Sequence, residues 1–158
     1  MITINNELQL PDASNGVLQQ AQAHAVVLHE AWYERLDRWG EALAVHRRKL
    51  AAAPGDTAAL LGTLRCLSAL GEYHEVDTVV RRAWHGVEAE DVRQQMAPIA
   101  CATALVLGAW ARLAQYAEHL PAHTATRAVF ETVLAVHRGD YAAARALVRA
   151  ARTALDAE

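Results

Sequence analysis

One local pattern occurs four times in the sequence and constrains the fold more than any other feature. Each copy has a turn-forming or small residue, then a polar or small residue, an aromatic residue, two spacers and an aliphatic residue. The aromatic residues are Trp39, Tyr73, Trp110 and Tyr141, and they lie 34, 37 and 31 residues apart. A period near 34 is typical of repeats in which a turn joins two antiparallel helices. The pattern therefore predicts a series of stacked helix pairs.

The predicted fold class is all-α. We expect a right-handed α-solenoid of about four antiparallel helix pairs of the tetratricopeptide-repeat (TPR) kind, forming a single domain over residues 1–158. The four aromatic rings are predicted to be equivalent wedges, each buried where two helices meet a third. Truncation of one such ring is expected to cost on the order of 3 kcal/mol or more.

Apolar residues at helical spacing predict the individual helices. A helix is expected after Pro11, and Asp56 is expected to cap the helix that follows it, with Gly55 in the left-handed conformation. Pro98 lacks an amide hydrogen and clashes one turn back, so it is expected to kink or split its helix. The main predicted helices cover residues 26–37, 41–52, 57–70, 74–84, 91–107, 112–119, 124–137 and 141–155.

Composition and charge exclude several functional classes. The formal charge of -3 and the isoelectric point near 6.2 give no electrostatic basis for binding nucleic acid, so no nucleic-acid partner is predicted. Cys66 and Cys101 lie in apolar helical stretches, which favours free buried thiols and a reducing compartment. The most apolar run, residues 97–111, is too short for a membrane span. We therefore expect a cytoplasmic protein.

The sequence contains no motif that would carry catalysis or hold a cofactor. It has no glycine-rich phosphate loop, no kinase signature, no nucleophile elbow and no zinc-protease helix. Eight histidines are present, but only His119 and His123 have a spacing that suits a metal, and Pro121 interrupts the helix between them. We therefore predict no catalytic residue, no cofactor and no metal site for this chain.

A free-standing TPR-type adaptor that binds other proteins remains an alternative. Adaptors that hold acidic peptides line a groove with lysine, arginine and asparagine from successive first helices. This chain offers only Arg65 and Arg127 at such places, without the asparagine. The terminal helices also lack polar caps, which favours self-association through the exposed ends.

Several stretches, taken in order along the chain, resemble the FAT region of TOR (target of rapamycin), a PI3K-related Ser/Thr protein kinase. The individual motifs are weakly specific, whereas the ordered set is specific. The stretches include Ile4-Asn5-Asn6-Glu7-Leu8, Ala31-Trp32-Tyr33-Glu34-Arg35-Leu36, the segment 61–73, Leu107-Gly108-Ala109-Trp110, Val133-Leu134-Ala135-Val136-His137 and the segment 151–158.

The resemblance implies a non-catalytic helical scaffold segment in TOR signalling, because in that family this region packs around the kinase domain and restrains it. The implied partners are the kinase domain, other helical repeats of a TOR-like protein and TOR-complex subunits. The parent would be a Ser/Thr kinase, but its kinase domain lies outside this chain. Ala42, Leu43 and Cys66 are expected at helix–helix contacts, where bulky or helix-breaking replacements would loosen the scaffold and raise kinase activity.

Overall fold

The computed structural model describes residues 30–155, which form eight α-helices and no strand. The predicted all-α class is therefore confirmed for this part of the chain. The helix expected after Pro11 lies outside the described residues. We number the helices α1 Glu30–Arg35, α2 Trp39–Ala52, α3 Thr57–Ala69, α4 Tyr73–Trp84, α5 Glu90–Val106, α6 Trp110–Ala117, α7 Ala125–His137 and α8 Tyr141–Leu155.

The chain divides into two compact units, residues 1–70 and residues 71–158. In the described part of the first unit, α2 packs against both α1 and α3. In the second unit, each helix from α4 to α8 packs against the next helix along the chain. The single domain expected over residues 1–158 stays a prediction.

The four copies of the repeated pattern form four turns that share a left-handed residue at the same position. Each aromatic residue of the pattern is the first residue of a helix: α2, α4, α6 or α8. The residue two positions earlier has a positive φ in every case, a left-handed conformation that glycine adopts without steric cost and aspartate tolerates. These residues are Asp37 (φ 55°), Gly71 (φ 75°), Gly108 (φ 65°) and Gly139 (φ 75°).

Three of these turns also share a pair of backbone hydrogen bonds. The amide of the left-handed residue donates to the carbonyl three positions back, and the next amide donates to the carbonyl five positions back. This pair is the Schellman motif, which satisfies carbonyl groups at the end of a helix. The longer bonds are Arg38 N to Tyr33 O at 2.9 Å, Ala109 N to Ala104 O at 2.7 Å and Asp140 N to Ala135 O at 2.9 Å.

The four aromatic rings are not equally buried, so the expectation of equivalent wedges is wrong. Trp39, Tyr73 and Trp110 are partly buried, whereas Tyr141 is 61% exposed. Trp110 stacks on the imidazole of His137, with ring centroids 3.8 Å apart. Tyr141 begins α8, and the described chain contains no later helix that could cover this ring. The large penalty for truncation therefore does not apply to Tyr141.

The cap before α3 shows one expectation confirmed and one wrong. The side chain of Asp56 accepts a hydrogen bond from the Ala59 amide at 3.0 Å, as an N-cap should. Gly55 is not among the residues with positive φ. At the end of α2, the amide of the C-cap residue Ala53 instead donates a hydrogen bond to the Lys49 carbonyl at 2.9 Å.

Pro98 does not split its helix. Helix α5 runs without interruption through Pro98 from Glu90 to Val106. The neighbouring residues Ala97 and Ala100 are buried on this helix. We attribute the continuity to this burial, since packing of the buried face offsets the one backbone hydrogen bond that proline removes.

Each unit has its own apolar core within the described residues. Both cysteines are buried and free, one in each unit. None of the described helices combines the length and apolar character that crossing a membrane would require. The largest fully buried side chains are Leu64 and Leu67 in the first unit, and Met96, Leu113, Val76 and Val80 in the second.

The substitution Gly108→Ala tests the left-handed turn. A Cβ atom at this position would meet no neighbour within 4 Å, so the cost is confined to the positive φ and is expected to be about 1–2 kcal/mol of unfolding free energy. Urea unfolding followed by circular dichroism measures it. The control is Gly40→Ala, where a Cβ also meets nothing within 4 Å but the residue is helical, so stability should rise by up to ~1 kcal/mol. Equal effects of the two substitutions would contradict the assignment.

Candidate metal centre

The first unit brings together three side chains that sequence spacing did not connect. Glu34 comes from α1, His46 from α2 and Cys66 from α3. Each offers one potential ligand atom, and these atoms all lie within 4.8 Å of one another. His46 and Cys66 are buried, and Glu34 is partly exposed. We call these three residues the Glu34–His46–Cys66 cluster.

The local fold explains how each residue reaches the cluster. Glu34 lies one residue before the end of α1, immediately ahead of the Asp37 turn. On α2, His46 continues the buried stripe begun by Ala42 and Leu43, at helical spacings of three and four. Because α2 packs against both α1 and α3, this stripe places the imidazole between the other two helices.

Gly62 is what allows His46 to lie against α3. A Cβ atom at position 62 would approach the imidazole atoms Cε1, Nδ1 and Nε2 to 2.2–2.4 Å, closer than any real contact. The three distances are nearly equal, so the face of the imidazole ring lies against the backbone of α3. Cys66 lies one helical turn further along α3, on the same face as Gly62.

Hydrogen bonding fixes the orientation of the imidazole and leaves one nitrogen without a partner. Nε2 of His46 lies 2.8 Å from Oε1 of Glu34. An ionised carboxylate can only accept hydrogen bonds, so the neutral ring places its proton on Nε2 and keeps a lone pair on Nδ1. The Nδ1 atom is buried and has no hydrogen-bond partner among the described residues, which costs about 1–3 kcal/mol.

The carboxylate of Glu34 has a second partner at the rim of the cluster. One guanidinium nitrogen of Arg65 lies 3.3 Å from Oε1 and 3.5 Å from Oε2 of Glu34. The Arg65 side chain is half exposed, so solvent weakens this ion pair. Glu34 therefore links α1 to α2 through the buried His46 and to α3 through the exposed Arg65.

The thiol of Cys66 is held in its protonated form. Burial, with a further contribution from the negative charge of Glu34, raises the pKa of Cys66 to about 11. A cysteine, a histidine and a carboxylate also form the nucleophilic triads of some hydrolases. Because the thiol of Cys66 is fully buried and protonated, this arrangement disfavours covalent catalysis.

The other histidines singled out in the sequence do not form a comparable group. His119 lies after the end of α6, and its Nδ1 is 3.0 Å from Oε1 of Glu90. His123 has a φ of 63° and lies in the loop before α7. The expectation that Pro121 keeps these two histidines off a common helix is therefore confirmed.

A cavity of about 510 Å³ in the second unit is lined by Arg81, Arg82 and Arg112 together with aromatic and polar side chains. Its positive charge is partly neutralised by Asp77, which lies 3.3 Å from Arg112 and 3.8 Å from Arg81. The cavity is therefore less suited to binding an anion than its arginines alone would indicate.

Ala42, Leu43 and Cys66, the residues predicted at helix–helix contacts, are all buried in the first unit. Cys66 also belongs to the cluster, a role that the sequence did not reveal. The three members of the cluster lie 12 and 20 residues apart along the chain, and this spacing matches no metal-binding motif. The one local signal was Gly62, a glycine inside an otherwise leucine-rich helix one turn before a cysteine.

No protein-family model matches the chain. Curated proteins of several organisms do match it, and they are serine/threonine-protein kinases. TOR2 of Saccharomyces cerevisiae is 35% identical over 159 residues, and mTor of Drosophila melanogaster is 34% identical over 160 residues; each match covers 100% of this chain and 6% of the relative. For tor1 of Schizosaccharomyces pombe, identity is 36% over 142 residues, covering 89% of this chain and 6% of the relative.

These matches first define a class: the chain is a helical segment homologous to part of a large serine/threonine-protein kinase. More particularly, the chain is a homologue of a segment of the TOR kinases, which confirms the resemblance to TOR seen in the sequence. It spans about 6–7% of the length of the relatives it matches.

The contact between Gly62 and His46 predicts a measurable coupling. Although alanine favours a helix by about 1 kcal/mol over glycine, Gly62→Ala should destabilise the chain by about 1–3 kcal/mol, because its methyl group collides with the imidazole. In the double variant Gly62→Ala/His46→Ala the collision is absent, so the loss of stability should be smaller than the sum of the single losses. Urea unfolding of the four proteins measures the coupling. Additive losses would contradict the contact.

Proposed function

We propose that this chain is a non-catalytic scaffold segment of a TOR kinase, corresponding to its FAT region, and that it packs around the kinase domain and restrains it. The observation that carries the proposal is the match to TOR kinases of fungi, an insect and plants along 89–100% of the chain. In this proposal the Ser/Thr kinase activity belongs to the parent protein. The segment contributes shape and rigidity.

The proposed architecture is a right-handed α-solenoid of TPR-like helix pairs, about four over the whole chain. Two observations support it. Within each unit, helices pack against their neighbours along the chain, as repeat proteins require. The same left-handed turn also precedes α2, α4, α6 and α8, so the structural period follows the sequence period.

The proposed partners are proteins: the kinase domain, other helical repeats of the same TOR protein and subunits of TOR complexes, in the cytoplasm. Exposed apolar side chains on the last two helices suit such contacts, and they also suit self-association. Val129 and Val136 lie two turns apart on one face of α7, and Val148 is exposed on α8.

A restraining role depends on the tight packing of the first unit. Ala42 is completely buried on α2, and its amide donates to the Arg38 carbonyl at 3.1 Å. A larger side chain here would force the neighbouring helices apart, because protein interiors leave no spare volume. A proline would remove the hydrogen bond as well. Either change should loosen the segment and release the kinase domain.

We expect the substitution Ala42→Leu, made in the full-length TOR kinase that contains this segment, to raise basal phosphorylation of a protein substrate, and Ala42→Pro to raise it further. The matched control is Ala44→Leu, which places the same side chain at an exposed position of the same helix. Kinase assays on the purified full-length proteins, with limited proteolysis to confirm the loosened segment, measure both effects. Unchanged activity in an Ala42 variant whose segment is demonstrably loosened would refute the restraining role.

A free-standing TPR-type adaptor is the second candidate, favoured by the exposed apolar face of α7. The two functions differ in what the transcript encodes. A transcript that continues from this segment into a kinase domain is expected for the scaffold, whereas one that encodes this segment alone is expected for the adaptor.

A further inference from the structure

We propose that the Glu34–His46–Cys66 cluster is a zinc site, in which one sulfur, one nitrogen and one oxygen from three helices bind a single Zn²⁺ ion. The donor set suits this metal. Cysteine thiolate, imidazole and carboxylate are the ligands that Zn²⁺ takes in proteins, and magnesium or calcium sites are built from oxygen instead. The proposal concerns the first unit alone and does not depend on the scaffold function.

The distances between the donor atoms are close to those that a bound ion requires. Zinc–ligand bonds of about 2.0–2.3 Å in tetrahedral geometry place the ligand atoms roughly 3.3–3.7 Å apart. In the cluster, the donor atoms lie within 4.8 Å of one another, and the closest approach is 2.8 Å, between His46 and Glu34. Shifts of about 1 Å, within the reach of side-chain rotation, would therefore complete the coordination.

The burial and orientation of His46 are the second observation. The imidazole is buried between helices and held against Gly62, and its Nε2 atom lies 2.8 Å from Oε1 of Glu34. Nε2 is therefore the nitrogen that would bind the ion beside the Glu34 carboxylate, and the ring proton would then lie on Nδ1. The ion would replace the hydrogen bond between the two side chains.

The charges around the cluster allow the ion to bind. Binding of the ion would release the proton of the Cys66 thiol to solvent. The resulting thiolate and the carboxylate together neutralise the two positive charges of Zn²⁺, so the buried site carries no net charge when occupied. Arg65 is the cation nearest to Glu34 in the described structure, and its half-exposed side chain can turn into solvent when the metal takes its place. The fourth coordination position would hold a water molecule, reached from the partly exposed side of Glu34.

The consequence is a cross-link between α1, α2 and α3. Because the ligands are held together only in the folded unit, binding of zinc stabilises the folded form by mass action. Removal of the metal should make the first unit less stable and leave the second unit unaffected.

The test uses the full chain of 158 residues, purified, stripped with a chelator and titrated with Zn²⁺ by calorimetry and with Co²⁺ by absorption spectroscopy. We expect about one metal ion bound per chain, a Tm that rises with zinc concentration, and a near-ultraviolet thiolate-to-cobalt charge-transfer band. The Co²⁺ band reports a sulfur ligand in the unaltered protein, so the result does not depend on a variant that folds poorly.

Variants then locate the site. Cys66→Ala and His46→Gln should lose stoichiometric binding, and Cys66→Ala should lose the charge-transfer band. Cys101→Ala is the matched control, since Cys101 is equally buried but lies in the second unit, outside the cluster. It should bind zinc as the unaltered chain does. A folded chain that shows no stoichiometric binding, or a band that survives in Cys66→Ala and disappears in Cys101→Ala, would overturn the proposal.

Discussion

The architecture depends on a left-handed residue placed two positions before an aromatic side chain. After a helix, one residue with positive φ turns the chain. In three of the four copies, the amides of that residue and of the next close the open end of the helix by bonding back to its carbonyls. Three copies use glycine, the residue that adopts this conformation freely, and the copy at Asp37 uses an acid that tolerates it. These turns lie at the ends of α1, α3, α5 and α7 and at the starts of α2, α4, α6 and α8.

The features that could be predicted from the sequence are those set by a few neighbouring residues. The turns, the Asp56 cap and most helix limits follow from glycine, aspartate and apolar spacing within one or two turns. Tyr141 was predicted to be buried, and its ring is exposed. Burial of this ring depends on whether another helix covers it, and the residues of its own repeat do not encode such a helix. Pro98 was predicted to kink or split its helix. The helix is not split, and we attribute this to buried neighbours on α5 that offset the local penalty.

The Glu34–His46–Cys66 cluster could not be predicted from spacing because three separate helices supply its members. What assembles it is the close approach of α2 and α3, and that approach depends on the missing side chain of Gly62. Ala42 and Leu43, the positions proposed to transmit restraint, lie on the same buried stripe of α2 as His46. In the first unit, helix packing and the candidate metal centre are therefore two aspects of one interface, and a change that separates α2 from α3 would disturb both.

Amide hydrogen exchange, measured residue by residue on the intact chain, tests the repeated turn most directly. The amides of Arg38, Ala109 and Asp140 immediately precede helices, a position where amides usually face water, yet here each donates to a carbonyl five residues back. We expect these amides to exchange at least about tenfold more slowly than the amide of Ala89, which precedes α5 without such a turn; tenfold corresponds to roughly 1.4 kcal/mol of local protection. Exchange of all four amides at the same rate would show that these three copies do not share the hydrogen-bonded turn, and the repeated turn would lose its basis.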